Sequence, residues 1–252
     1  MATVVLALLA SGCGSSSGES SGTSRGARAS GLSARTLPLA VVEAPTPRFQ
    51  VPRYDTSGTY PRVRDRNLDL SAVNAALREA VLADQREFAP GARRYSIGTA
   101  KRFRGVYETS VDRRLLAAST VVVSALMPAT TLYPGGSHGK TWVAMTIRVP
   151  SGEPVMITDL FADPPRGLRV LARAWKTRAT SRYGRCVAIV PSDYRPTAHN
   201  YRHFALTVHG LAVGFLQPPS CNRLQATVPY AVLRPHLSKL GATLVTGVRR
   251  PR

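Results

Sequence analysis

The stretch Tyr133-Pro134-Gly135-Gly136-Ser137-His138-Gly139-Lys140, followed by Thr141 to Val149, decides how the rest of the chain is read. Its glycines supply the backbone freedom of a tight turn. The run behind it alternates, with Val143, Met145, Ile147 and Val149 on one side and Trp142, Ala144, Thr146 and Arg148 on the other. A period of two with one apolar face is the pattern of a β-strand laid on a core. Ser151-Gly152-Glu153-Pro154 is a turn by composition, and Val155 to Phe161 reads as a short strand running into a helix start.

Working outward toward the N-terminus, Arg113 to Met127 is a valine-rich strand buried on both faces, and Tyr95 to Ser110 reads as another. Leu70 to Phe88 has helical spacing: Val73, Ala76, Leu77, Ala80, Val81 and Asp84 recur at i, i+3 and i+4, Asp69 and Ser71 can cap, and Pro90-Gly91 is expected to stop it. Leu37–Glu43 and Arg48–Tyr54 read as two strands split by Pro45 and Pro47. Toward the C-terminus, Leu168 to Tyr183 is an amphipathic helix ended by Gly184, and Cys186 to Tyr201 is an irregular loop. Asn200 to Leu216 is a hairpin turning at His209-Gly210, Gln225–Pro229 a further strand and Tyr230 to Leu240 a short helix. The basic end Arg249-Arg250-Pro251-Arg252 is expected to be disordered.

Met1 to Gly12 is a short apolar run ending in small residues before Cys13, which fits a bacterial lipoprotein signal with Cys13 as the lipidated residue. Two features depart from that pattern: Ala10 stands where leucine is usual, and no basic residue precedes the apolar run. The run is too short to cross a bilayer. The Gly/Ser-rich segment behind it cannot bury apolar surface and reads as a tether. With Cys13 acylated, Cys186 and Cys221 remain as an even pair in an oxidising compartment, a candidate disulfide, with two free thiols as the open alternative. The formal charge of +20 is nearly all arginine, since only Lys101, Lys140, Lys176 and Lys239 are lysines. Arginine bias suits a GC-rich genome, yet a charge of this size favours anionic partners whatever its origin. Nucleic acid is disfavoured because no zinc-finger, helix-turn-helix or RNP-type pattern accompanies the charge.

The chemistry-bearing motifs argue against an enzyme. Gly135 to Gly139 matches G-x-S-x-G, but a nucleophile elbow leads from a strand into a helix, and here a strand follows. The five histidines form no HExxH, and His199 and His203 lie in a loop-to-strand context that denies them a shared helix face. Neither Cys186 nor Cys221 sits in a CxxC, so no metal site and no cofactor are expected.

Five stretches in one order resemble the RsiV-type C-terminal domain family: "YPRV…LDLSAVNAAL", "YPGGSHG", "SGEPVMITDLF", "NYRHFALTVHGLAVGF" and "ATVPYAVLRPHL", spanning about Tyr60 to Leu240. That family occurs in lysozyme-responsive anti-sigma factors, in the non-catalytic part of some peptidoglycan deacetylases and in secreted mycobacterial relatives. The resemblance implies an α+β fold, a curved antiparallel sheet with packed helices in two intimately packed parts. It also implies binding rather than catalysis. The expected organisation is a signal peptide at 1–12, lipidated Cys13 and tether over 13–36, an N-terminal α+β part at 37–127, the RsiV-type domain at 128–245 and a basic tail at 246–252. The expected function is a non-catalytic lipoprotein, a monomer anchored on the outer face of the membrane, that binds a cell-wall or host component. The alternative is an inhibitor or sensor that sequesters a wall-lytic hydrolase such as lysozyme; secretion is the alternative to anchoring. An anionic wall polymer or a protein is the expected partner, and Tyr133, Gly135, Gly136, His138 and Lys140, with the turn at Ser151–Pro154, are the expected ligand site.

Overall fold

The centre of the computed structural model is strand β5 (Val122–Leu132), whose first six residues are all buried. It pairs along its whole length with β6 (His138–Arg148), from Leu132 opposite His138 to Val122 opposite Arg148. Its other edge carries two short strands end to end: β3 (Gly105–Thr109) opposite 129–132 and β4 (Leu116–Ala118) opposite 123–125. Beyond β3, the first half of β2 (Tyr54–Arg64) runs parallel to it, and the second half pairs antiparallel with β1 (Ala40–Pro45). A separate three-stranded antiparallel sheet consists of β7 (Phe204–Thr207), β8 (Gly210–Phe215) and β9 (Leu224–Val228). The structure describes residues 36–98, 103–134, 136, 138–188, 194–215 and 223–252. The expected lipidation site Cys13, its tether up to residue 35, Gly135, Ser137 and Cys221 lie outside the described residues.

Helix α1 (Ser71–Gly98) covers one face of the large sheet, burying Val73, Leu77 and Val81 against Val123, Ala125, Met127, Val143, Met145 and Ile147. The opposite face meets the small sheet, where Leu126 and Trp142 contact Ala205 and Ala212. On the far side of the small sheet lies α2 (Pro164–Tyr183), with Leu168, Leu171, Trp175 and Ala179 against Phe204, Leu206, Leu211, Val213 and Phe215. The order of layers is therefore helix, large sheet, small sheet, helix. Sequence alternation explains it. β7 and β8 place large residues on the α2 face and Ala205, Ala212 and Gly214 on the other, so two sheets can approach closely. A Cβ on Gly214 would lie 2.7 Å from the Trp142 indole. Ser124, Thr146 and Trp142, trapped between the sheets, find partners: Ser124 Oγ lies 2.6 Å from Thr146 Oγ1 and accepts the Leu206 N–H at 2.7 Å, and Trp142 Nε1 donates to the Phe215 carbonyl at 3.3 Å.

The expectation of an α+β fold holds, and several local expectations do not. α1 runs through Pro90 to Gly98, so Tyr95 is helical rather than extended. Pro90 sits on the exposed side, where losing one backbone hydrogen bond costs least, while buried Ala92 and the Tyr95 ring, stacked on Tyr133 at 4.5 Å, hold the last turns. Residues 48–53 are a loop rather than a strand. Phe49 and Val51 alternate because both enter the core, and Arg53 at φ 68° turns the chain into β2. The stretch 155–161 forms a short 3₁₀ helix at Ile157–Leu160 instead of a strand. The helix expected over Tyr230 to Leu240 is only α3 (Tyr230–Leu233) and a 3₁₀ turn at Arg234–His236. A further, unexpected helix, α4 (Lys239–Gly247), is capped by Ser238 accepting from the Gly241 N–H. The boundary drawn at 127/128 falls inside β5, so the two expected parts share one sheet. The basic tail is ordered: Arg252 exchanges backbone bonds with Leu39 and Val41, and the Ala118 N–H donates to the Arg249 carbonyl at 3.2 Å. Charge alone gave no sign of these backbone bonds.

Gly214→Ala is expected to destabilise the fold by about 1–3 kcal/mol, because the added methyl must displace a buried indole. Urea denaturation measures it; an unchanged midpoint would mean that the sheets are not held at this spacing.

Candidate functional site

A groove of about 370 Å³ runs along the outer edge of β6. One wall is α1, through Ala76, Glu79, Ala80 and Ala83; the other is Ala198, Arg202 and Phe204, with Pro154 to Ile157 at one end. The floor is Ala144 to Ile147. This groove follows from the layering: helix and small sheet stand on opposite faces of the large sheet, and β6 is the strand that ends it. Its lining is mostly apolar, and Met156 on its rim is 56% exposed.

Asp84 is a carboxylate on the buried face of α1. It accepts from Tyr107 Oη at 2.6 Å, and Thr141 also hydrogen-bonds to it. Burial pushes its pKa up to about 6, partly offset by those hydrogen bonds and by the nearby Arg223. Arg223 donates to the Ala129 carbonyl and to Thr130 Oγ1, and lies over the Trp142 ring at 5.9 Å. Half-buried His203 hydrogen-bonds to the Trp142 backbone; burial first, then the adjacent Arg202, brings its pKa down to about 4. Nothing in the sequence marked Tyr107 or Arg223. Asp84 was visible only as an acid at a core position of the helix, which is itself a signal. Among the described residues no group of three or more His, Cys, Asp or Glu side chains could hold a metal ion.

The expected ligand residues are placed as follows. Tyr133 is half-buried between Tyr95 and Tyr54, and burial followed by the neighbouring Tyr95 raises its pKa. Gly136 is exposed at φ 90°, a conformation that favours glycine, and its N–H closes the turn on the Tyr133 carbonyl at 3.0 Å. His138 and Lys140 open β6, opposite Leu132 and Thr130. Gly139 is where a Cβ would strike Phe88 at 2.6 Å. This turn packs on the end of α1; of the two expected segments only Pro154 lines the groove. Cys186 is disulfide-bonded. The G-x-S-x-G stretch leads into β6, as its two-residue period requires.

Two smaller clefts, about 290 and 330 Å³, open beyond β4, the other side of β5 from the groove. They share Arg114 and His209 and are lined further by Arg113, Arg250 and Arg182, with Asp112 the single carboxylate lining them among the described residues. These groups come from the turn before β4, the β7–β8 hairpin, the end of α2 and the ordered tail. Arg114 reaches Asp112 at 3.3 Å and Arg250 lies 3.4 Å from His209. Arginine is suited to such a site because its fork meets phosphate or carboxylate bidentately.

Asp84 and His203 pull stability in opposite directions. The raised acid stabilises the fold below its unfolded pKa, near 4, and that contribution fades as pH rises through about 6. The depressed histidine contributes above about 6.5, its unfolded value, and that is lost as pH falls through about 4. Asp84→Asn should therefore stabilise the protein at neutral pH by on the order of 3 kcal/mol and steepen the loss between pH 6.5 and 4. His203→Gln should do the reverse over that window. Chemical denaturation at stepped pH separates them; parallel profiles for both variants and the parent would overturn the assignment.

No family model matches the chain, and no curated protein does. Among solved structures, a DUF3298-family protein from Bacteroides fragilis is similar, with a TM-score of 0.52 at 10% identity over 81% of this chain and 94% of that one. A DUF3298-family protein from Pseudomonas aeruginosa gives a TM-score of 0.48 at 11% identity over the same shares. At such identity the first shows the fold: this chain has the α+β arrangement of a DUF3298-type domain.

Proposed function

We propose that this chain is a non-catalytic binding protein of the cell envelope that grips an anionic wall polymer through the arginine-lined clefts beyond β4. The observation that carries this reading is the convergence of Arg113, Arg114, Arg182 and Arg250, from three separate parts of the chain, on two clefts that share Arg114 and His209. A charge of +20 spread evenly would attract polyanions without a site; convergence from distant sequence positions gives the charge a place. A lipid on Cys13 and the Gly/Ser tether hold the domain on the outer face of the membrane, within reach of the wall. No helix among the described residues is long and apolar enough to cross a membrane. The RsiV-type resemblance supports a binding rather than a catalytic role and brings no cofactor. Capture of lysozyme is the weaker reading, since common lysozymes are basic and would be repelled at long range.

The test is co-sedimentation with purified sacculi at low and physiological salt. The triple variant Arg113→Ala/Arg114→Ala/Arg250→Ala is compared with Arg62→Ala/Arg64→Ala/Arg66→Ala, which removes equal charge from the exposed end of β2. The first should weaken binding at physiological salt by about tenfold or more, roughly 1.4 kcal/mol, and the second far less. Equal loss in both would reduce the interaction to bulk charge.

A further inference from the structure

The outer edge of β6 is open at one place. Its even-numbered residues turn their backbone groups away from β5: the Arg148 N–H donates to the Glu153 carbonyl at 2.9 Å and the Val155 N–H to the Thr146 carbonyl at 2.7 Å. At the other end His203 bonds the Trp142 backbone. Between these closures, the N–H and C=O of Ala144 and the N–H of Thr146 have no partner among the described residues. Proteins usually blunt such an edge with lysine, proline or a bulge. The segment Trp142-Val143-Ala144-Met145-Thr146-Ile147 has neither lysine nor proline, and its register with β5 is unbroken.

This edge is the floor of the 370 Å³ groove, between the alanines of α1 and Phe204. The groove differs from the rest of the surface in charge. The acids beside it are each matched by an arginine: Glu79 with Arg86, Glu87 with Arg202 at 3.1 Å, and Glu153 with Arg148 at 2.5 Å. On a chain of +20 this mouth is balanced, and a charged polymer gains nothing by entering it. An acyl chain would leave the three backbone groups unsatisfied. An extended peptide satisfies them and places every second side chain against the apolar walls.

We propose that the outer edge of β6 accepts an extended, uncharged polypeptide segment of a partner protein as an added strand, its alternate aliphatic side chains lying between α1 and Phe204. This site is separate from the arginine clefts and stands or falls independently of them.

The test uses the full chain against a phage-displayed library of random linear dodecapeptides, counter-selected on Ala83→Phe, which fills the groove mouth from an exposed position of α1. The expected result is enrichment of uncharged sequences with alternating aliphatic residues. Bound peptide should slow hydrogen exchange at the Ala144 and Thr146 amides. Single backbone N-methylation of the peptide should weaken it by about tenfold, and Arg113→Ala/Arg114→Ala/Arg250→Ala should leave it unchanged. Failure to enrich over Ala83→Phe would overturn the proposal. So would charged peptides lost with the arginine variant, or binding that leaves both amides exchanging freely. Decanoate competing for the groove without protecting those amides would make it an acyl-chain site instead.

Discussion

The structure depends on how closely its two sheets approach. Trp142 of β6 lies over Gly214 of β8, and no side chain fits between them. This contact fixes the small sheet against the large one and forces Ala205, Ala212 and Gly214 onto the inner face of β7 and β8. Everything larger on those strands is then committed to α2, which is why Trp175, Phe215, Tyr194 and Tyr201 gather in one aromatic cluster with ring centroids 4.5 to 5.2 Å apart. Dispersion in such a cluster is the sum of many small contacts, and it holds only while the sheet spacing holds.

The same stacking creates both candidate surfaces. Placing α1 on one face of the large sheet and β7 on the other leaves the last strand, β6, at the bottom of a slot. On the opposite side of β5 the sheet is continued by short β4 and by the returning tail, whose backbone bonds to Leu39, Val41 and Ala118 bring Arg250 beside His209. One edge is apolar and balanced in charge, and the other is crowded with arginine. On the proposed reading, the two edges would serve separate partners, one the polymer and one a protein.

Buried polar groups show where the fold bears a cost. Asp84 lies in the core with Tyr107 and Thr141 as partners, and Arg223 nearby offsets part of the burial. Tyr107 is itself raised by burial and by the same carboxylate, so the folded environment disfavours the charged form of both groups. Hydrogen bonds of this kind specify one arrangement of helix and sheet, since a slip of α1 by one turn would strand the carboxylate.

Strong periodicity was legible before any coordinates. The two-residue alternation of Thr141 to Val149, the i, i+3, i+4 spacing of Val73 to Asp84 and the face of Leu168, Leu171 and Trp175 each fix an element, because one side of each must leave water. Elements set by distant contacts were not legible. Phe49 and Val51 alternate like a strand yet sit in a loop against Tyr107, and Pro90 reads as a stop until Tyr95 is found stacked on Tyr133. The candidate surfaces divide the same way. Composition alone determined that this chain is strongly basic, but Arg113, Arg182 and Arg250 are brought together only by folding. The groove has no sequence signature, because an open strand edge is a property of what fails to pair with it, and pairing is decided by the tertiary structure.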